Sequence, residues 1–171
     1  VIRRSEEIEP AVGQLEKETV LGFDTETRPT FRAGQSYPPA VLQLAAEQAA
    51  YVFQLQHCRL SEALCRLLAN PHITKVGVAW DRDVQELTKL ASFTPAGFVE
   101  LGELAQQAGC PHRGLRGLAA QLLGFRVSKR SQTSNWAQAT LTRAQIEYAA
   151  TDAWVARELY QKLRLLGNFR A

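Results

Sequence analysis

Apolar residues fall along this chain in two kinds of run. Short, nearly continuous runs come first, at Val20 to Phe23, Val41 to Ala45, Ala50 to Leu55, Lys75 to Ala79 and Ala96 to Val99. They are too short for helices and are fenced by turn residues, which predicts buried strands. Glu47-Gln48 between the second and third suits a hairpin turn. Helical spacing marks residues 5–17, 61–69, 101–108, 115–123 and 142–166, and a further stretch from Asp81 or Arg82 to Leu90. It is clearest in the last, where Ile146, Ala149, Ala153, Ala156, Leu159 or Tyr160, and Leu163 recur at three- and four-residue steps. Ser5 is expected to cap the first helix. Ser61 opens the second, and Asn70-Pro71 stops it. Residues 27–39, rich in Pro, Gly and Arg, read as a loop.

Strands come early and helices late, joined by short connections. That order predicts one mixed sheet with helices packed on it, an α/β domain spanning residues 1–171. With 171 residues and 46% apolar side chains, one sizeable core can form. There is no repeat, low-complexity segment or linker. No run of ~18 apolar residues occurs, so no membrane span is expected. The opening Val-Ile-Arg-Arg-Ser-Glu-Glu is charged too early for a secretory signal, and a cytoplasmic setting is expected. Cys58, Cys65 and Cys110 form no zinc pattern with His57, His72 or His112 and read as free thiols.

The net charge of +3 hides an uneven distribution. Residues 104–146 contain no Asp or Glu but hold His112, Arg113, Arg116, Arg126, Lys129, Arg130 and Arg143. A solvated basic face is the plain explanation. The length of the stretch raises the case for a polyanionic partner such as nucleic acid.

The acids that could do chemistry sit at element ends. Asp24 and Glu26 are two apart on a strand, so their side chains share one face. Adjacent carboxylates repel, and a divalent cation is a natural neutraliser. Solvated strand-end acids are the competing reading. Asp83 follows the fourth apolar run, at the start of a helix where a carboxylate also suits the dipole. Asp81 competes with it for the cap. Tyr148 and Asp152 are four apart on the last helix and share a face. The neighbouring alanines let that helix approach the sheet closely, and a buried Asp there needs a partner.

Three segments together carry a family resemblance. Phe23-Asp24-Thr25-Glu26-Thr27, the run Lys75 to Asp83, and Tyr148-Ala149-Ala150-Thr151-Asp152-Ala153 resemble, in order, the three motifs of the DEDD superfamily of 3′-5′ exonucleases, tyrosine subtype. Ser134-Asn135-Trp136 is similar to a further segment of those proteins. The likeness covers nearly the whole chain and leans towards Werner-type exonuclease domains, with ribonuclease D more distant. Ala79 stands where many relatives carry Asn, although Werner-like members also lack it.

The resemblance implies a ribonuclease H-like fold with a mixed five-stranded sheet flanked by helices. It implies two Mg²⁺ or Mn²⁺ ions about 4 Å apart, held by Asp24, Glu26, Asp83 and Asp152. In that scheme Asp24 serves both ions, and Tyr148 orients the attacking water. A phenol with a pKa of ~10 is a poor base near neutral pH, so the role given to Tyr148 is positioning. The partner implied is nucleic acid, single-stranded or at 3′ ends, DNA ahead of RNA. Thr25, Lys129, Arg130 and Asn135, with Arg126, are expected to contact the strand. Trp136 and Trp80 are candidates for base stacking, with burial in the core the commoner fate of a tryptophan, and Arg28, Arg32 and Lys75 are further basic candidates. The rival readings are a catalytically silent nucleic-acid-binding module on the same fold, and an exonuclease of RNA or short oligonucleotides.

Overall fold

The structure is a computed structural model and describes residues 1–30 and 35–167. Arg32 lies outside them. Five strands form one sheet: β1 (Val20–Thr27), β2 (Pro39–Ala45), β3 (Ala50–Gln54), β4 (Thr74–Gly77) and β5 (Phe98–Glu100). Their order is β3-β2-β1-β4-β5. β1 pairs antiparallel with β2, and β2 with β3, while β1–β4 and β4–β5 are parallel. A central strand covered on both faces must be apolar on both. The opening of β1 obeys this: Val20, Leu21 and Phe23 are all buried.

Helices cover the two faces. On one lie α1 (Ile8–Leu15) and α3 (Glu62–Leu68), whose Ile8, Leu15, Leu64 and Leu67 pack with Leu21, Phe23, Leu42 and Leu44. On the other lie α5 (Leu101–Gln107), α6 (Leu115–Leu118) and the long α7 (Arg143–Gly167). Their Leu101, Leu118, Val155 and Leu159 pack with Val20 and Val76. A short α2 (Leu55–Cys58) and α4 (Asp81–Leu90) complete the set. Among the described residues no helix is long and apolar enough to cross a membrane.

Several expected boundaries move, each for a local reason. β1 runs on through Asp24 to Thr27, because antiparallel pairing with β2 continues to Pro39. The carboxylates of Asp24 and Glu26 therefore stand on the sheet itself. The register shifts between Glu26 and Thr27, an irregularity of the kind that clusters beside functional sites. Leu55 leaves the third strand to open α2. β4 stops at Gly77, since Ala79 takes φ +54°, the left-handed region. That conformation costs a non-glycine residue roughly 1 kcal/mol or more. The Glu100 carboxylate steadies it by accepting the Ala79 N–H at 2.7 Å, and also accepts Gly102 N–H at 2.9 Å. The turn lets α4 start at once. The helix expected over 115–123 is α6 followed by a π-helical turn, Ala119–Leu123. Ser5 does not cap the first helix. It begins a 3₁₀ turn, and the backbone N–H groups of Arg3 and Arg4 just before it both donate to the Glu7 carboxylate at 3.0 Å.

Candidate active site

Gly22, Asp24 and Glu26 share one face of β1, and α7 lies directly on it. A Cβ built on Gly22 would stand 1.8 Å from the Ala153 carbonyl oxygen. No side chain fits there, so the backbones of β1 and α7 touch. One residue before Ala153 is Asp152, and a turn earlier is Tyr148. The close crossing thus sets both beside Asp24. Oxygen atoms of Asp24, Glu26 and Asp152 come within 4.8 Å of one another. Asp83 enters from the first turn of α4 and is half-buried, while Asp81 is exposed. Of the two acids, Asp83 lines a cavity together with Glu26.

Three cavities meet here. One of about 350 Å³ holds Asp24, Glu26 and Asp152 together with Tyr148, Arg116 and Gln132, over apolar Phe23, Val78 and Ala156. A second, of about 450 Å³, shares Glu26 and Gln132 with it and adds Asp83, Arg28, Arg82 and Tyr37. A third, of about 270 Å³, shares Tyr148 and Asp152 and is bordered by Arg130, Ser128 and Thr151. The first two have the size of a small-ligand site, and the third falls just short of it.

The electrostatics are those of crowded acids. Burial, then the charge of Asp152, pushes the Asp24 carboxyl up to about 8. Burial, then Asp24 and Asp152, pushes Glu26 up to about 9. Burial also raises Asp83 and Asp152. Tyr148 is raised well above the usual phenol range, by burial and then by Asp152. One Asp152 oxygen, Oδ1, is buried with no hydrogen-bond partner among the described residues. Three hard oxygen donors, an orphaned carboxylate oxygen and excess negative charge suit a hard divalent cation. The group could hold such an ion.

The expected substrate contacts divide. Thr25 is buried and borders the first cavity, and its N–H donates to Asp24 Oδ1 at 2.9 Å. Arg130 borders the third cavity, and Lys129 is exposed on the same loop. Asn135 is exposed and uses its amide oxygen locally, accepting Ala137 N–H at 3.2 Å. Trp136 is a correction: it is fully buried, so no base can stack on it. Its ring packs 5.9 Å from that of Tyr148 and supports that side chain from behind. Lys75 is a second correction. It is fully buried, and its Nζ donates to the carbonyls of Asn70 and Ile73 at 2.6 and 2.7 Å, so it is not free to meet a phosphate. Trp80 has one ring face against Phe98 at 4.9 Å. Arg28 stacks on Tyr37 beside the second cavity.

Two polar residues of the first cavity escaped the sequence reading, Arg116 and Gln132. Arg116 belonged to the acid-free basic stretch, but nothing in the pattern set it apart from its neighbours there.

A cleft of converging carboxylates on a ribonuclease H-like fold is an arrangement suited to metal-assisted phosphodiester hydrolysis. The match to the 3′-5′ exonuclease family runs over residues 1–168, and the chain belongs to that family. It is 35% identical over 155 residues to the mouse bifunctional 3′-5′ exonuclease/ATP-dependent helicase WRN, covering 87% of this chain and 11% of that protein. It is 32% identical over 168 residues to ribonuclease D of Acidiphilium cryptum, covering 96% of this chain and 42% of that one. The Nibbler EXO domain of Aedes aegypti superposes with a TM-score of 0.85 at 22% identity, over 96% of this chain and 86% of that one. The chain therefore spans about a tenth of the first of these two sequence relatives and about two fifths of the second.

Proposed function

We propose that this domain removes nucleotides one at a time from the 3′ end of a nucleic acid, releasing nucleoside 5′-monophosphates, with DNA as its main substrate. The observation that carries the reading is the convergence of Asp24, Glu26 and Asp152 within 4.8 Å, beside Tyr148 in one cavity. Asp24, Glu26 and Asp152 would hold one ion, and Asp24 with Asp83 the other. Bound there, Mg²⁺ or Mn²⁺ would supply Lewis-acid activation of water and stabilise the leaving 3′ oxygen.

The chain's own groups do the rest. Tyr148 holds the attacking water by its hydroxyl; with its pKa pushed up, the phenol keeps its proton and acts as a donor. Thr25 borders the cavity in which the last nucleotide sits. Lys129, Arg130 and Asn135 hold phosphates of the incoming strand without reading its sequence. Similarity to ribonuclease D keeps RNA as a second reading.

The test uses purified protein and a 5′-labelled single-stranded DNA oligonucleotide, with Mg²⁺, Mn²⁺ or EDTA. A ladder shortening from the 3′ end, absent with EDTA, is expected. Asp24→Ala and Asp152→Ala should each cost more than the ~10–100-fold typical of outer-shell partners of a metal. Wild-type rates in either variant would refute the assignment. A matched RNA oligonucleotide degraded faster than the DNA would reverse the substrate order.

A further inference from the structure

Arg116 occupies an unusual place for an arginine. It is the one cation lining the cavity of Asp24, Glu26 and Asp152 among the described residues, yet it forms no ion pair among them. Its Nη2 instead donates to the Tyr148 hydroxyl oxygen at 2.7 Å. That distance is typical of a charge-assisted bond. Its Nε is buried without a hydrogen-bond partner among the described residues.

The geometry has a consequence for the phenol. A hydroxyl oxygen that accepts from a guanidinium cannot aim its own proton back at that donor. The Tyr148 proton is thus turned away from Arg116, and the ring that carries it is wedged by Trp136. One neighbour fixes the ring and the other fixes the hydroxyl. We propose that Arg116 is a positioning residue for the exonuclease reaction, holding Tyr148 as a hydrogen-bond donor to the attacking water. This rests on the function proposed above.

The first readout needs neither substrate nor metal. The chain has 4 tyrosines, so their ¹³Cζ resonances are few enough to separate, and Tyr148→Phe assigns the one of interest. In Arg116→Met the Tyr148 resonance should move while the other tyrosines stay in place. The second readout is kinetic. Arg116→Met should lower kcat roughly 10- to 100-fold, the range for a lost bond to a charged group, with KM within about twofold. Arg116→Lys should restore part of that loss. In a Tyr148→Phe background the Arg116 substitution should have little further effect, because the group it positions is gone.

An unmoved Tyr148 resonance in active enzyme would overturn the role. So would losses that multiply in full in the double variant, which mean a separate phosphate contact. A moved resonance in Arg116→Met, together with wild-type protein that degrades no DNA or RNA, would overturn the exonuclease reading, and the role with it, while leaving the contact standing.

Discussion

The crossing of β1 and α7 and the chain between α5 and α7 border the same cavity, but different forces place them. At the crossing, position follows from close packing: Gly22 meets the Ala153 carbonyl, and Val155, Ala156 and Leu159 are buried around it. The connecting chain has little regular structure beyond the four residues of α6 and one π-helical turn. Polar anchors hold its later part. Gln54 and Gln56 donate to the Gln138 carbonyl, His57 bonds the Ala139 carbonyl, and Gln145 bonds Gln138, Thr142 and the Asn135 carbonyl. Phe125 stacked on Trp154 pins its middle to α7. The packed crossing carries three of the four acids, and the tethered chain carries the arginines and lysine. A reaction on a polyanion needs the first rigid to within fractions of an ångström. In the proposed reaction the second would position the strand, a task that tolerates looser construction.

Two glycines, Gly22 at the crossing and Gly114 on the cavity wall, offer the sharpest way to break that contrast. Gly22→Ala places a methyl group against backbone, which cannot swing aside. It should cost at least the ~1–3 kcal/mol of ordinary overpacking. For a domain of this size each kcal/mol lowers Tm by ~2–4 °C. Exonuclease activity should fall with it, since Asp152 moves away from Asp24. Gly114→Ala, in the connecting chain, meets nothing within 4 Å and has an ordinary negative φ. It should leave Tm unchanged or raise it slightly, by the ~0.4–1 kcal/mol that a compatible Gly→Ala gives. Thermal melts of both variants decide the matter. Equal effects would mean that the crossing is no tighter than the connection.

The same division explains what could be read from the sequence. Asp24 and Glu26 were legible because a strand has period two, and Tyr148 and Asp152 because a helix returns every four residues. Which of Asp81 and Asp83 faces the cleft was not legible, because it depends on the left-handed turn at Ala79. Arg116 was invisible, because one arginine in a basic stretch looks like the next. Lys75 and Trp136 were misread for one reason. Lysine and tryptophan are amphipathic, and only tertiary packing decides which end meets water. For Lys75 two backbone carbonyls decided it, and for Trp136 the ring of Tyr148 did. The sheet and its flanking helices were predicted in kind, and the errors fell at boundaries set by cross-strand pairing and capping.

A second prediction concerns charge at the crossing, with a smaller effect than the clash at Gly22. Asp24 and Glu26 titrate at about 8 and about 9 in the fold, against 3.8 and 4.5 as ordinary side chains. Between those values the folded state binds more protons than the unfolded state. Stability must then fall as pH rises, the reverse of a salt-bridged carboxylate. The Tm of metal-free protein should drop between about pH 5 and pH 9, and Asp24→Asn should flatten the drop. Adding Mg²⁺ or Mn²⁺ at the alkaline end should restore Tm, because an ion that binds only the fold stabilises it by mass action. A Tm that rises with pH, or that ignores the cations at every pH, would mean that these acids do not crowd one another.

The smallest effects are expected in the connecting chain. Lys129 and Arg130 are exposed, and neither forms an ion pair among the described residues. Each is free to release one counterion when a strand binds. Arg143, in the same acid-free stretch, is already committed to Glu147 at 2.6 Å. In binding assays with a single-stranded oligonucleotide, Lys129→Ala and Arg130→Ala should each weaken affinity without regard to sequence. Each should also reduce the slope of log affinity against log salt by roughly 0.7, the value per phosphate on a single strand. Arg143→Ala should leave the slope nearly unchanged, because its charge is offset before the strand arrives. If all three variants reduce the slope equally, the stretch acts as a diffuse field. If only Lys129 and Arg130 matter, the strand runs past the third cavity, where Arg130 stands beside Tyr148 and Asp152.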